Sequence, residues 1–158
     1  MATSWKPISP HHAGLLIVLV AWSGLTGCLH LGGRPATDAL TPSEHLKLGI
    51  SYEQAGKPDL ALREYERVAA GPERSRALTC QGNIYTARRQ LPEAEARYRA
   101  ALAADPDNVV ALNNLAWQLA QEGRALDEAE RLIRHAIALR AEPRATYADT
   151  LEAILRRR

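Results

Sequence analysis

The chain has 158 residues, with 20 Lys+Arg against 18 Asp+Glu, a net charge of +2 and 46% hydrophobic content. That length fits one ordinary domain or an array of small repeats, and the near-neutral charge gives no ground for a nucleic-acid partner. Two cysteines exclude a disulfide-dense scaffold and a four-cysteine zinc site. Aromatic residues make up only 5%, with no Phe, three Trp and five Tyr, so the placement of these few large side chains is informative.

Residues 1–12 hold one lysine, Lys6, and no acid, and the apolar run from Gly14 to Trp22 follows them. A weakly basic start and so short a run suit a signal-peptide core and fall short of a membrane span, which takes about 20 apolar residues. Leu25-Thr26-Gly27-Cys28 comes next. That quartet resembles the bacterial lipobox at all four positions. The resemblance implies cleavage before Cys28, a diacylglyceryl group on its thiol and acylation of the new amino group. Residues 1–27 would then be a signal peptide. Residues 28–41, with Gly32, Gly33 and Pro35, would be a lipidated cysteine and a flexible tether. Two or more acyl chains anchor a protein to a membrane without any spanning helix. Leu29 stands where an aspartate would retain a lipoprotein at the inner membrane. The resemblance thus implies a bacterial envelope protein, lipid-anchored at the outer membrane and facing the periplasm.

The rest of the chain repeats. Gly49, Tyr52, Ala61 and Tyr65 recur as Gly82, Tyr85, Ala94 and Tyr98, every pair 33 residues apart. Ala116, Leu119, Ala129 and Ala136 continue from Gly82, Tyr85, Ala94 and Ala101 at offsets of 34 or 35 residues. Self-similarity at this period marks stacked supersecondary units. Thr41-Pro42-Ser43-Glu44 is a capping box with proline at the first helical position, which predicts a helix to about Ala55. The second helix takes Pro58 early and runs to about Ala70, where Gly71-Pro72 supply a left-handed cap and a stop. Further helices are predicted over about 75–88, 92–104, 109–122, 126–140 and 144–157, with Asp107 or Asn108 free to cap the fifth. No run of alternating β-branched residues intrudes.

These residues resemble the tetratricopeptide repeat (TPR), whose first helix carries Leu-Gly-x-x-Tyr and whose second carries Ala-x-x-x-aromatic-x-x-Ala before a proline. Gly82, Tyr85, Ala94, Tyr98, Ala101 and Pro106 match it in the second unit. Leu48, Gly49, Tyr52, Ala61 and Tyr65 match in the first, and Leu112, Leu115, Ala116, Ala129 and Ala136 in the third. The resemblance implies an all-α solenoid over 42–158. Three helix-turn-helix repeats would cover 42–74, 75–108 and 109–144, and a C-terminal capping helix 145–158.

Catalytic and metal motifs do not emerge. His11 and His12 fall in the signal segment, and His30, His45 and His135 lack metal-ligand spacing. His45 is expected to be packed and satisfied, His135 exposed. Cys80 reads as a buried, inert thiol, with a small Cys80-dependent hydrolase as its catalytic rival. No catalytic residue, cofactor, metal or small-molecule substrate is therefore expected. The closing Arg156-Arg157-Arg158 suits the negative end of the last helix.

The TPR resemblance places a groove for protein or peptide segments on first-helix residues that point away from the second helices. By register these are Lys47, Ile50 and Gln54 in the first unit, and Arg76, Thr79, Asn83 and Thr86 in the second. Asn113, Trp117 and Gln121 follow in the third, and Asp149 in the last helix. Trp117 either anchors a bound segment or packs against the terminal helix. Leu46 and Ile50 occupy two positions from which some relatives clamp a C-terminal carboxylate, which argues against that use here. The implied function is a non-enzymatic, membrane-anchored interaction scaffold or adaptor. Assembly of a pilus, secretin or secretion machine is one refinement, and service to an envelope peptidase or cell-wall hydrolase another.

Overall fold

A computed structural model describes residues 40–139 and 145–157. The expected signal peptide, Cys28 and most of the tether lie outside these residues, as does the junction at 140–144. The described residues form seven helices and no strand: α1 Pro42–Gln54, α2 Pro58–Glu66, α3 Arg74–Ala87, α4 Leu91–Ala104, α5 Val109–Glu122, α6 Leu126–Ala138 and α7 Ala145–Leu155. None is long and apolar enough to cross a membrane.

Local chemistry sets the helix starts. The Thr41 hydroxyl accepts from the Glu44 amide at 3.3 Å, and the Glu44 carboxylate accepts from the Thr41 amide at 2.7 Å, completing the capping box. Those two bonds satisfy donors that a helix start otherwise leaves orphaned. Asn108, rather than Asp107, caps α5, its side chain accepting from the Ala111 amide at 3.1 Å. One boundary differs from expectation by more than two residues. α2 ends at Glu66, four residues before Ala70, because the chain tightens there and turns Val68 into the core at 3% exposure. Gly71, with φ +89°, therefore lies in the α2–α3 turn rather than capping α2. Ser75, in the first turn of α3, is buried. Its buried hydroxyl donates to the Ala101 carbonyl at 2.8 Å and ties α3 to the end of α4.

The repeat signature is a packing rule. A Cβ built on Gly49 would stand 2.4 Å from Tyr65 Cε1, and one on Gly82 would stand 2.4 Å from Tyr98 Cε1. Both rings are buried. Glycine is thus what lets the edge of each tyrosine ring press against the first helix of its own unit. The third unit solves the same problem with another pair. Ala116 aligns with Gly82 and Ile133 with Tyr98, and both are fully buried in one cluster with Leu112, Leu115 and Leu119. The larger small residue faces the smaller large one. Ala61, Ala94 and Ala129 are fully buried at the matching second-helix position.

Units are joined by polar links as well as apolar ones. Asn108 Nδ2 donates to Ser75 Oγ at 2.7 Å and to Thr79 Oγ1 at 3.0 Å. On the outer face Arg99 bonds Glu95 at 2.8 Å and Glu128 at 2.6 Å, while Arg124 bonds Glu95 and Glu122. These contacts hold the Glu95, Glu122 and Glu128 carboxyls below their usual pKa, the arginine hydrogen bonds being the first cause in each. α7 closes the array by burying Tyr147, Thr150 and Ile154. Its basic end serves a different helix from the one expected: Arg157 Nη1 donates to the Ala120 and Gln121 carbonyls at 2.6 and 2.7 Å, and so caps α5.

Candidate functional site

Val110, Asn114, Trp117 and Gln121 recur at helical spacing and share one face of α5. Asn114, Trp117 and Gln121 look across a cleft of about 660 Å³ at Asn83 and Thr86 of α3. Tyr98 of α4 and Leu91, at the start of α4, complete the lining of that side. A smaller cleft of about 380 Å³ continues past Asn83, which lines both, toward Arg76, Thr79 and Val110.

A hydrogen-bond chain fixes the floor. The Tyr98 hydroxyl donates to Asn83 Oδ1 at 2.9 Å and lies 3.0 Å from Thr86 Oγ1. Asn114 Nδ2 donates to the same Asn83 oxygen at 2.8 Å. Asn113 Nδ2 donates to Asn114 Oδ1 at 3.3 Å, and Thr150 Oγ1 donates to Asn113 Oδ1 at 3.0 Å. Three helices and the cap thereby hold the two asparagines that face the cleft in set orientations. Burial pushes the Tyr98 hydroxyl pKa up, so it stays a neutral partner in this chain. The first unit answers its own tyrosine differently, with Tyr65 Oη donating to Glu53 at 2.8 Å.

Trp117 is 44% exposed and lines the cleft. Of the other groove residues expected from register, Asn83, Thr86 and Gln121 join it there. Arg76 and Thr79 line the smaller cleft, although Thr79 is only 4% exposed because its hydroxyl donates to the Ser75 carbonyl at 2.8 Å. Lys47 and Gln54 are exposed on α1 and line neither cleft, while Ile50 packs beside Leu46 in the N-terminal core. Asn113 is a correction. At 8% exposure it turns to Thr150 of α7, and its neighbour Asn114 takes the groove position. Asp149 is exposed on α7 and lines neither cleft.

Register reasoning missed Tyr98, Asn114, Arg89 and Leu91. Tyr98 counts in the sequence as a core marker, and only its hydroxyl reaches the groove. Asn114 carries a usable signal, three residues before Trp117 and four after Val110 on one helical face. The remaining chemistry is quiet. His45, 2% exposed, bonds Glu64 through Nδ1 at 2.7 Å, and His135 is an exposed partner of Asp107 at 3.0 Å. Burial raises the Cys80 thiol pKa, opposite to what an activated nucleophile requires. Among the described residues no three His, Cys, Asp or Glu side chains gather as metal ligands.

Paired antiparallel helices repeated in this way, with a cleft along the first helices, define a helix-pair solenoid. The tetratricopeptide repeat family matches residues 98–131. The first TPR of Spaghetti (RPAP3), bound to the HSP90 peptide SRMEEVD, superposes with TM-score 0.63 at 19% identity, covering 73% of this chain and 90% of that one. The second TPR domain of human RPAP3, in complex with the HSP70 peptide SGPTIEEVD, gives TM-score 0.60 at 19% identity, with coverage of 73% and 98%. No curated protein matches significantly by sequence. The described helices are a tetratricopeptide-repeat solenoid.

Proposed function

We propose that this chain is a lipid-anchored adaptor of the bacterial envelope that holds a peptide segment of a partner protein in the cleft between α3 and α5. The observation that carries this reading is Trp117. An indole left 44% exposed in a cleft that two oriented asparagines also line is suited to anchor a bound segment. The side-chain amides of Asn83 and Asn114 suit the donors and acceptors of a peptide backbone, and the indole suits an apolar side chain. Both solved neighbours hold peptides, which supports the same use of the fold here. Cys28 would supply the membrane anchor through its acyl chains. Nothing in the site calls for catalysis, and the raised Cys80 thiol argues against a cysteine hydrolase.

Two measurements test this. Labelled palmitate should enter the full chain and be lost in Cys28→Ser; label retained by that variant would rule out the anchor. Partners co-purifying from crosslinked envelopes should be depleted by Trp117→Ala. Unchanged recovery of every partner would refute the cleft.

A further inference from the structure

The first helix of each repeat ends in the same turn. In the first unit the Gly56 amide bonds the Glu53 carbonyl and the Lys57 amide bonds the Tyr52 carbonyl, at 3.0 and 2.8 Å. In the third unit Gly123 bonds Ala120 and Arg124 bonds Leu119, at 3.0 and 3.2 Å. The second unit repeats the pattern through Arg89 to Thr86 and Gln90 to Tyr85, at 3.0 and 2.9 Å. This is the helix stop that needs one residue in the left-handed region. Gly56 and Gly123 adopt it at φ +69° and +65°, where a Cβ would meet nothing within 4 Å. Arg89 adopts it at φ +62°. Arginine in that region is strained where glycine is not.

Of the two non-glycine residues at positive φ among the described residues, Arg89 and Ala125, Arg89 is the one at the cleft. Arg89 lines the 660 Å³ cleft with Leu91 and Trp117 and is, among the described residues, the only cation there. Its guanidinium makes no ion pair with any described residue. The one carboxylate lining the same cleft, Glu122, is already engaged by Gln118 at 2.9 Å and by Arg124. The second unit thus brings to the cleft that an exposed indole also lines a guanidinium with no ion pair among the described residues, in a backbone conformation that disfavours any side chain. Strain held at a ligand-facing position points to use of the side chain.

We propose that Arg89 is a specificity residue of this cleft, taking the carboxylate of an Asp or Glu in the bound peptide while an adjacent apolar side chain lies on Trp117. A guanidinium binds a carboxylate through two parallel N–H bonds. The inference rests on the peptide-binding reading above and adds the chemistry of the peptide.

The test uses the full chain, purified in detergent, on an array of end-blocked heptapeptides. Each carries one Leu or Trp next to one Glu and is paired with a twin that has Gln in place of Glu. The Glu peptides should bind about fivefold tighter than their twins, the scale of one solvent-exposed ion pair. Arg89→Lys should weaken the preference without removing it, because an ammonium keeps the charge but cannot make the two parallel bonds. Arg89→Gly should abolish it and at the same time raise the thermal midpoint, because glycine relieves the left-handed strain. Equal binding of twins by the unaltered chain, or a preference that survives Arg89→Gly, would overturn the role of Arg89 and leave peptide binding standing. A lowered midpoint in Arg89→Gly would show that Arg89 is kept for stability, and would overturn it too. Failure to retain any peptide of the array would remove both the cleft reading and this inference.

Discussion

Gly82→Ala is the most exacting test of the packing rule. The added methyl carbon would sit 2.4, 2.7 and 2.9 Å from Cε1, Cδ1 and Cζ of Tyr98, distances that no real Cβ contact tolerates. The ring cannot withdraw freely, since it is 2% exposed and its hydroxyl is held by Asn83 and Thr86. Overpacking of this kind costs about 1–3 kcal/mol, and the gain from replacing glycine in a helix offsets up to about 1 kcal/mol of it. The clash is with a ring edge rather than the end of a flexible chain, so a net loss of about 2 kcal/mol is expected in urea unfolding followed by circular dichroism. The third unit shows how the loss can be recovered, because Ala116 and Ile133 occupy the same two positions without conflict. Gly82→Ala with Tyr98→Ile should therefore cost less than the sum of the single changes by at least about 1 kcal/mol. Additivity within about 0.5 kcal/mol would refute the claim that the two positions are chosen together.

Three further outcomes follow from the same structure. Tyr98→Ala removes a buried ring that joins α3, α4 and α5, and should cost about 3–5 kcal/mol, enough to unfold much of the array; an unchanged thermal midpoint would contradict this. Arginine hydrogen bonds hold the Glu95, Glu122 and Glu128 carboxyls below the ordinary carboxylate range when folded, so their stabilisation is complete above that range. It is lost as pH falls below about 4.5 toward the lower folded-state values, so the unfolding midpoint should drop over that range, and less steeply in Glu95→Gln. Cys80, partly buried and with its thiol pKa raised, should react with iodoacetamide far more slowly than free cysteine at neutral pH, and rapid labelling of the folded chain would contradict that.

The repeat was legible because its markers are spaced residues with one steric job. Gly49 and Gly82 announce Tyr65 and Tyr98, and the Thr41-Pro42-Ser43-Glu44 box announces α1. The end of α2 was not legible, since nothing local in Arg67-Val68-Ala69-Ala70 stops a helix; burial of Val68 does. The site was half legible. Register placed Asn83, Thr86, Trp117 and Gln121 on the open face, but put Asn113 there in place of Asn114. One residue of rotation decides between them, and Thr150 on a helix 37 residues away sets that rotation. Arg157 was read as serving its own helix because its partners, the carbonyls ending α5, are brought near only by the fold. Arg89 could have been found by aligning it with Gly56 and Gly123, a comparison that gains meaning once their backbone angles are known.

The most direct test of the central claim is site-specific photocrosslinking in intact envelopes. A photoreactive residue is placed at Thr86 in the cleft or at Arg134 on the outer helix α6. The account predicts a discrete adduct from Thr86, weakened by Trp117→Ala and absent from Arg134. Equal adducts from both positions, or a Thr86 adduct indifferent to Trp117→Ala, would contradict it.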